Sequence, residues 1–245
     1  MGTYFIESVG FSGSTTLASI LGQLPFSNVV HGTKNFNNPC LLGVDDLTAE
    51  TFIGQMCLSA KKHDLVASVH SLFAPEELKI LCQENGISFM GLVRHPEKQI
   101  NSCYGWAYKK IIQGDPHIPP QLIQIQQLLI EGNIRITLSN LLYAWACRHV
   151  VSYNIRLLNT GCKLLKMEKL LSDENYFSSS FNLPAELKVA HFHETKVEKN
   201  QHKNFLTEIN ASEPERDYFY NQLTVQISNY SLSPNALSAE LGYSD

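Results

Sequence analysis

The chain has 245 residues, of which 44% are hydrophobic and 17% charged, and a formal net charge of −4. That length can bury one sizeable core, so a single domain over residues 1–245 is expected. The mild negative balance leaves no global basic surface, which sets aside nucleic-acid and anionic-membrane binding; a site for an anionic ligand has to gather its cations locally.

Residues 4–6 read as a short strand, Gly10 and Gly13 punctuate a tight turn, and Leu17, Ile20, Leu21 and Leu24 recur at helical spacing. A second strand is expected over 28–31, then a polar loop over 32–36. A helix follows over 48–62, a buried strand over 65–69 ending at His70, and a helix opened by Pro75. The next strand, 87–93, gives way abruptly to Arg94. Strands alternating with helices at this period predict an α/β fold, a central parallel sheet flanked by helices.

Beyond Pro96 the pattern turns helical, over 97–112 and 121–130 with a Pro/Gly interruption at 114–120. A longer helix carries Leu138, Leu141, Leu142, Trp145, Val151, Ile155 and Leu158, and Gly161 suits its C-terminal cap. Residues 162–167 read as a last strand, 191–204 as a mobile loop, and 212–215 as a capping box. That box predicts a helix burying Phe219, Leu223 and Ile227, and the residues from Ser231 read as a loose tail.

The cysteines at 40, 57, 82, 103, 147 and 162 form no Cys-x-x-Cys pair and have no histidine at zinc-finger spacing. Reduced thiols in a cytosolic core and no metal site are therefore expected. No apolar run is long enough to span a membrane, and the first strand begins without a basic leader, so a soluble, cytoplasmic protein is expected.

Two stretches carry chemistry. In the first, Gly10-Phe11-Ser12-Gly13-Ser14-Thr15-Thr16 joins a strand to a helix. Such a loop wraps backbone N–H groups around an anion, the helix points its positive end at the same place, and the hydroxyls add donors. The stretch also fits an ordinary βα connection. A nucleotide-hydrolysing phosphate loop ends in Gly-Lys-Ser/Thr, whereas this one ends in Gly13-Ser14-Thr15, so metal-assisted ATP cleavage is not its expected chemistry. In the second stretch Arg94 leaves a strand, Pro96 starts a helix and Ser102 follows in its second turn, an arrangement able to grip a phosphate.

Together the two stretches resemble the sulfotransferases that use 3′-phosphoadenosine 5′-phosphosulfate (PAPS). Gly13, Ser14 and Thr15 match the family's first loop, and Arg94 with Ser102 match the pair that holds the 3′-phosphate. Ser68-Val-His70 sits where cytosolic members carry a catalytic histidine, and Met167-Glu-Lys-Leu-Leu171 resembles a segment after the middle helices. Lys196, Lys203, Asn204 and Thr207 resemble the loop that closes over the nucleotide. The resemblance implies a P-loop-like sulfotransferase architecture, PAPS as donor without a metal, and sulfuryl transfer to a hydroxyl or amine of a small molecule. Ser12, Gly13, Ser14, Thr15 and Thr16 would hold the phosphosulfate, and His70 would be the general base with His31 in reserve.

Phe11 stands where that family has a lysine or arginine. Lys34 is the expected substitute cation, in the loop after the second strand, which a parallel sheet is expected to set beside the first. Phe36 and the loop at His117 are positioned to line the acceptor pocket, while Tyr104, Trp106 and Tyr108 read as core or helix surface. An ATP-dependent phosphotransferase and a non-catalytic nucleotide-binding relative are the competing readings.

Overall fold

The computed structural model describes residues 2–32, 48–71, 73–116, 118–184 and 212–243. They divide into two compact units, one of residues 2–94 with 156–184 and one of residues 95–155 with 212–243. No helix among the described residues is long and apolar enough to cross a membrane.

The first unit is built on a five-stranded sheet, all parallel, in the order β2-β3-β1-β4-β5. Its strands are β1 (Thr3–Glu7), β2 (Ser27–His31), β3 (Leu65–Val69), β4 (Ser88–Val93) and β5 (Lys163–Lys166). Helix α1 (Ser14–Gly22) links β1 to β2, α2 (Ala49–Ala60) lies between β2 and β3, and α3 (Pro75–Glu84) links β3 to β4. The alternation of side chains along β1 explains the layering. Tyr4 and Ile6 pack on one face with Leu17, Ile20 and Leu21 of α1, together with Phe177 and Phe181. Phe5 points to the other face, against Phe52, Ile53 and Met56 of α2 and Leu78 and Cys82 of α3. Helices thus cover both faces, and each fully buried side chain of this size contributes roughly 2 kcal/mol.

The strand order corrects the expectation that the second strand lies beside the first: β2 pairs with β3, and β3 stands between it and β1. The burial of the two strands gives the reason. Leu65-Val-Ala-Ser-Val69 is buried throughout and suits an interior place, whereas Ser27-Asn-Val-Val-His31 is only partly buried and suits an edge.

After β5 the chain forms two short helices, α7 (Met167–Ser172) and α8 (Glu174–Ser180). The strand expected over 162–167 is therefore shorter and is not the chain's last, and Met167 opens a helix. Between α3 and the long helix α6 (Leu138–Thr160), Arg156 lays its guanidinium fork on Glu76, at 2.9 and 2.6 Å. That fork holds the Glu76 carboxyl below the usual range.

The second unit holds α4 (Pro96–Ile112), α5 (Pro119–Glu131), the first part of α6, α9 (Arg216–Gln222), an antiparallel hairpin of β6 (Val225–Ile227) and β7 (Tyr230–Leu232), and α10 (Pro234–Glu240). Tyr104 and Tyr143 are buried, and Arg216 stacks its guanidinium 5.9 and 5.2 Å from their ring centres while donating to Asn101 Oδ1. The C-terminal expectations are corrected here. Ile227 belongs to β6 and Leu223 caps α9, so the helix is shorter than the capping box suggested. Residues 231–243 are no loose tail: Ser233 Oγ accepts from the Ala236 N–H at 3.1 Å to start α10, which buries Leu237.

Candidate functional site

The site lies in the first unit, at the carboxyl ends of β1, β3 and β2. Val69 of β3 is level with Ile6 of β1 and with His31 of β2, so the chain leaves all of these strands at one height. In an open parallel sheet this edge is where ligands bind, beside a strand pair whose outgoing connections diverge. β1 leads into α1 on one face and its neighbour β3 leads into α3 on the other.

The segment after β1 turns through left-handed backbone, which its glycines adopt freely and Phe11 only under strain. Gly10, Phe11 and Gly13 all have positive φ, at 82°, 57° and 85°. At Gly13 a Cβ would stand 2.8 Å from Met167 Cε, so a larger residue would take a left-handed backbone and push the methionine aside. Gly13 caps α1, whose first helical bond runs from the Leu17 N–H to its carbonyl at 3.0 Å. The amides of Ser14, Thr15 and Thr16 therefore have no acceptor within the helix, and no acidic residue occupies the first turn. Ser12 Oγ is buried without a hydrogen-bond partner among the described residues. An anion would satisfy donors of this kind, and a phosphate or sulfate group fits the donor set.

His70 ends β3 in a left-handed turn, φ 64°, with its backbone N–H bonded to Ile6 O at 2.8 Å. Its Nδ1 lies 2.8 Å from Ser8 O. A carbonyl can only accept, so Nδ1 carries the proton and Nε2 holds the lone pair. The ring is about a quarter exposed, at 24% of its side-chain surface. A strained backbone at a strand end with a tautomer set by a carbonyl is an arrangement suited to proton abstraction.

Glu7 is the residue that the sequence pattern did not single out. Its carboxylate is fully buried at the end of β1. Oε1 accepts from the N–H groups of Ser8 at 2.9 Å and Ser71 at 3.2 Å, and Oε2 accepts from Ser71 Oγ. Oε1 also stands 3.8 Å from His70 Nδ1. Charge-assisted bonds of this kind offset the cost of burying the carboxylate and tie the end of β1 to the turn after β3. A signal existed: an acidic residue closing an otherwise apolar strand just before a Gly/Ser-rich loop.

Among the other predicted residues, Arg94 follows β4 and donates from Nη1 to Phe11 O at 3.3 Å, which brings it to the loop. Ser102 is buried on α4, in the second unit. His31 ends β2 with Nε2 3.0 Å from Ser14 Oγ and 3.4 Å from Thr15 Oγ1, its ring centre 5.6 Å from that of His70. Lys34, Lys196, Lys203, Asn204, Thr207, Phe36 and His117 lie outside the described residues.

The sequence matches no protein-family profile and no curated protein. Among solved structures the fold is similar to mouse sulfotransferase SULT7A1 complexed with PAP, at a TM-score of 0.44 and 11% identity over 78% of this chain. The chain spans 62% of that protein's length. It is also similar to the sulfotransferase domain from the curacin biosynthetic pathway, with a TM-score of 0.42 and 15% identity over 99% of this chain and 98% of that one.

Proposed function

We propose that the chain is a PAPS-dependent sulfotransferase that moves a sulfuryl group to a hydroxyl or amine of a small-molecule acceptor. The observation that carries this reading is the juxtaposition of a base and an anion cradle. His70 has Nδ1 tied to Ser8 O and Nε2 left to act as base, and its ring adjoins Gly10 at the start of the cradle. Nothing in the loop supplies a lysine for the terminal phosphates of a nucleoside triphosphate.

In this reading the sulfur–oxygen bond of the phosphosulfate breaks, a bond from sulfur to the acceptor oxygen or nitrogen forms, and the acceptor proton goes to His70 Nε2. The α1 amides, Ser12, Ser14, Thr15 and Thr16 hold the anionic group and the charge that builds on the leaving oxygen. Glu7 holds the turn that carries His70 and faces its protonated edge. The resemblance to the PAPS-dependent sulfotransferases assigns Arg94 and Ser102 to the 3′-phosphate and Lys196, Lys203 and Asn204 to the nucleotide.

Thermal shifts with PAPS, adenosine 3′,5′-bisphosphate and Mg-ATP test the donor class, because a ligand that binds only the native state raises stability with its concentration over its dissociation constant. Stabilisation by the first two and not by Mg-ATP is expected. Stabilisation by Mg-ATP alone would turn the assignment to a phosphotransferase, and nucleotide binding without transfer across alcohol, phenol and amine acceptors would leave a binding protein.

A further inference from the structure

We infer that His31 is the side chain that supplies positive charge to the anion at the start of α1. The inference rests on the reading of the Gly10–Thr16 loop as a phosphosulfate cradle, and it names the group that makes that cradle cationic. Three positively chargeable side chains reach the loop among the described residues, and one of them, His70 beside Gly10, is the proposed base. Arg94 does so at Phe11, where its guanidinium is held on the main-chain carbonyl. His31 does so at the other end, with Nε2 on the hydroxyls of Ser14 and Thr15. These hydroxyls belong to the helix positions whose amides lack intrahelical acceptors. A dianionic group bound there therefore meets the imidazole and the amide donors together, and the bound negative charge favours the protonated ring.

The surroundings of His31 suit this role. Strand β2 packs against β3 and α1. From β3 the titratable neighbour is His70, with the Glu7 carboxylate behind it on β1, 3.8 Å from His70 Nδ1. From the first turn of α1, which holds no acidic residue, come hydroxyls and amides. Register makes the placement firm: His31 is level with Val69, and Gly32 N–H bonds Val69 O at 3.1 Å, so the ring sits at the sheet's carboxyl edge rather than along the strand. His70 and His31 are thereby given different tasks, His70 facing the acceptor proton and His31 the donor's charge.

The experiment measures binding of adenosine 3′,5′-bisphosphate and of inorganic pyrophosphate by calorimetry to the full-length chain, wild type, His31→Ala, His31→Gln and His31→Lys, with thermal denaturation as the check on folding. Glutamine keeps a donor toward Ser14 Oγ without charge, and it decides the matter if the alanine variant does not fold. Loss of tenfold or more in affinity for both probes in His31→Ala and His31→Gln is expected, with His31→Lys within about threefold of wild type, the scale of one charge-assisted contact. Glutamine or alanine variants that bind within twofold of wild type would overturn the inference while leaving the nucleotide reading in place. Pyrophosphate binding that depends on His31, without binding of the bisphosphate, would keep the inference and refute the PAPS donor. A wild-type chain that binds neither probe would overturn both.

Discussion

At the scale of single residues, the site is held by groups that tolerate little change. His70→Ala is expected to lower transfer by ~10²–10⁴-fold while leaving adenosine 3′,5′-bisphosphate affinity within about twofold, since a base acts on the acceptor proton and not on the nucleotide. Equal losses in rate and in nucleotide affinity would make His70 a structural residue. Glu7→Ala strands the N–H groups of Ser8 and Ser71 beside a cavity, and a loss of about 3 kcal/mol in urea denaturation is expected. Glu7→Gln, which keeps an acceptor oxygen, should lose less; identical stabilities for the two variants would show that the carboxylate holds nothing. At Gly13 the φ of 85° and the approach of Met167 act together. Gly13→Ala should therefore destabilise by more than the 1–2 kcal/mol of a left-handed alanine, and Met167→Ala in the same chain should recover the excess in a double-mutant cycle. A purely additive pair would mean that the methionine moves aside at no cost.

Among the elements, those predicted with fewest residues out of place are the ones whose signals are local. Thr48 before α2, Pro75 at the start of α3 and Gly161 after α6 stand at the boundaries their chemistry implies. The misreadings occur where partners far away in sequence decide. Ile227 reads as helical because it continues the spacing of Phe219 and Leu223, but pairing with Tyr230 across a turn puts it in a hairpin strand. The segment from Ser231 is polar enough to read as a tail, yet Leu237 and Leu241 are buried in the second unit. Helix α10 is therefore expected to matter for stability: Leu237→Ala should cost ~2–5 kcal/mol and Ser233→Ala about 1 kcal/mol, both measured by chemical denaturation. A Leu237→Ala chain as stable as wild type would return the segment to the status of a tail.

For the molecule as a whole, buried thiols and phenols set the alkaline limit. Burial pushes Cys82 up to about 12 and drives Cys103 and Cys147 upward as well, with Tyr4, Tyr104 and Tyr143 raised for the same reason. A raised acid keeps its proton in the folded chain after the unfolded chain has lost it. The unfolded chain then binds fewer protons than the folded one, so stability falls with rising pH. The thiol contribution is complete below the ordinary thiol range near ~8.5 and is lost progressively toward about 12, with the phenols adding their part above ~10. Denaturation midpoints should be flat between pH 7 and 8 and fall steadily from pH 9, and an unchanged midpoint at pH 10.5 would count against the burial of these thiols.

The alternation of strand and helix, the small-residue loop between β1 and α1, and the residue types able to hold an anion and take a proton are all legible along the chain. Those features come from side-chain periodicity and backbone preference, which act over a few neighbouring positions. It takes the folded chain to place β3 between β2 and β1, a buried Glu7 behind His70, and His31 at the start of α1 from an edge strand. Parallel neighbours are joined by long crossovers, so their order and register follow from which strand can be buried on both faces. The same packing decides which side chains meet at the sheet's carboxyl edge, and spacing along the chain does not encode it.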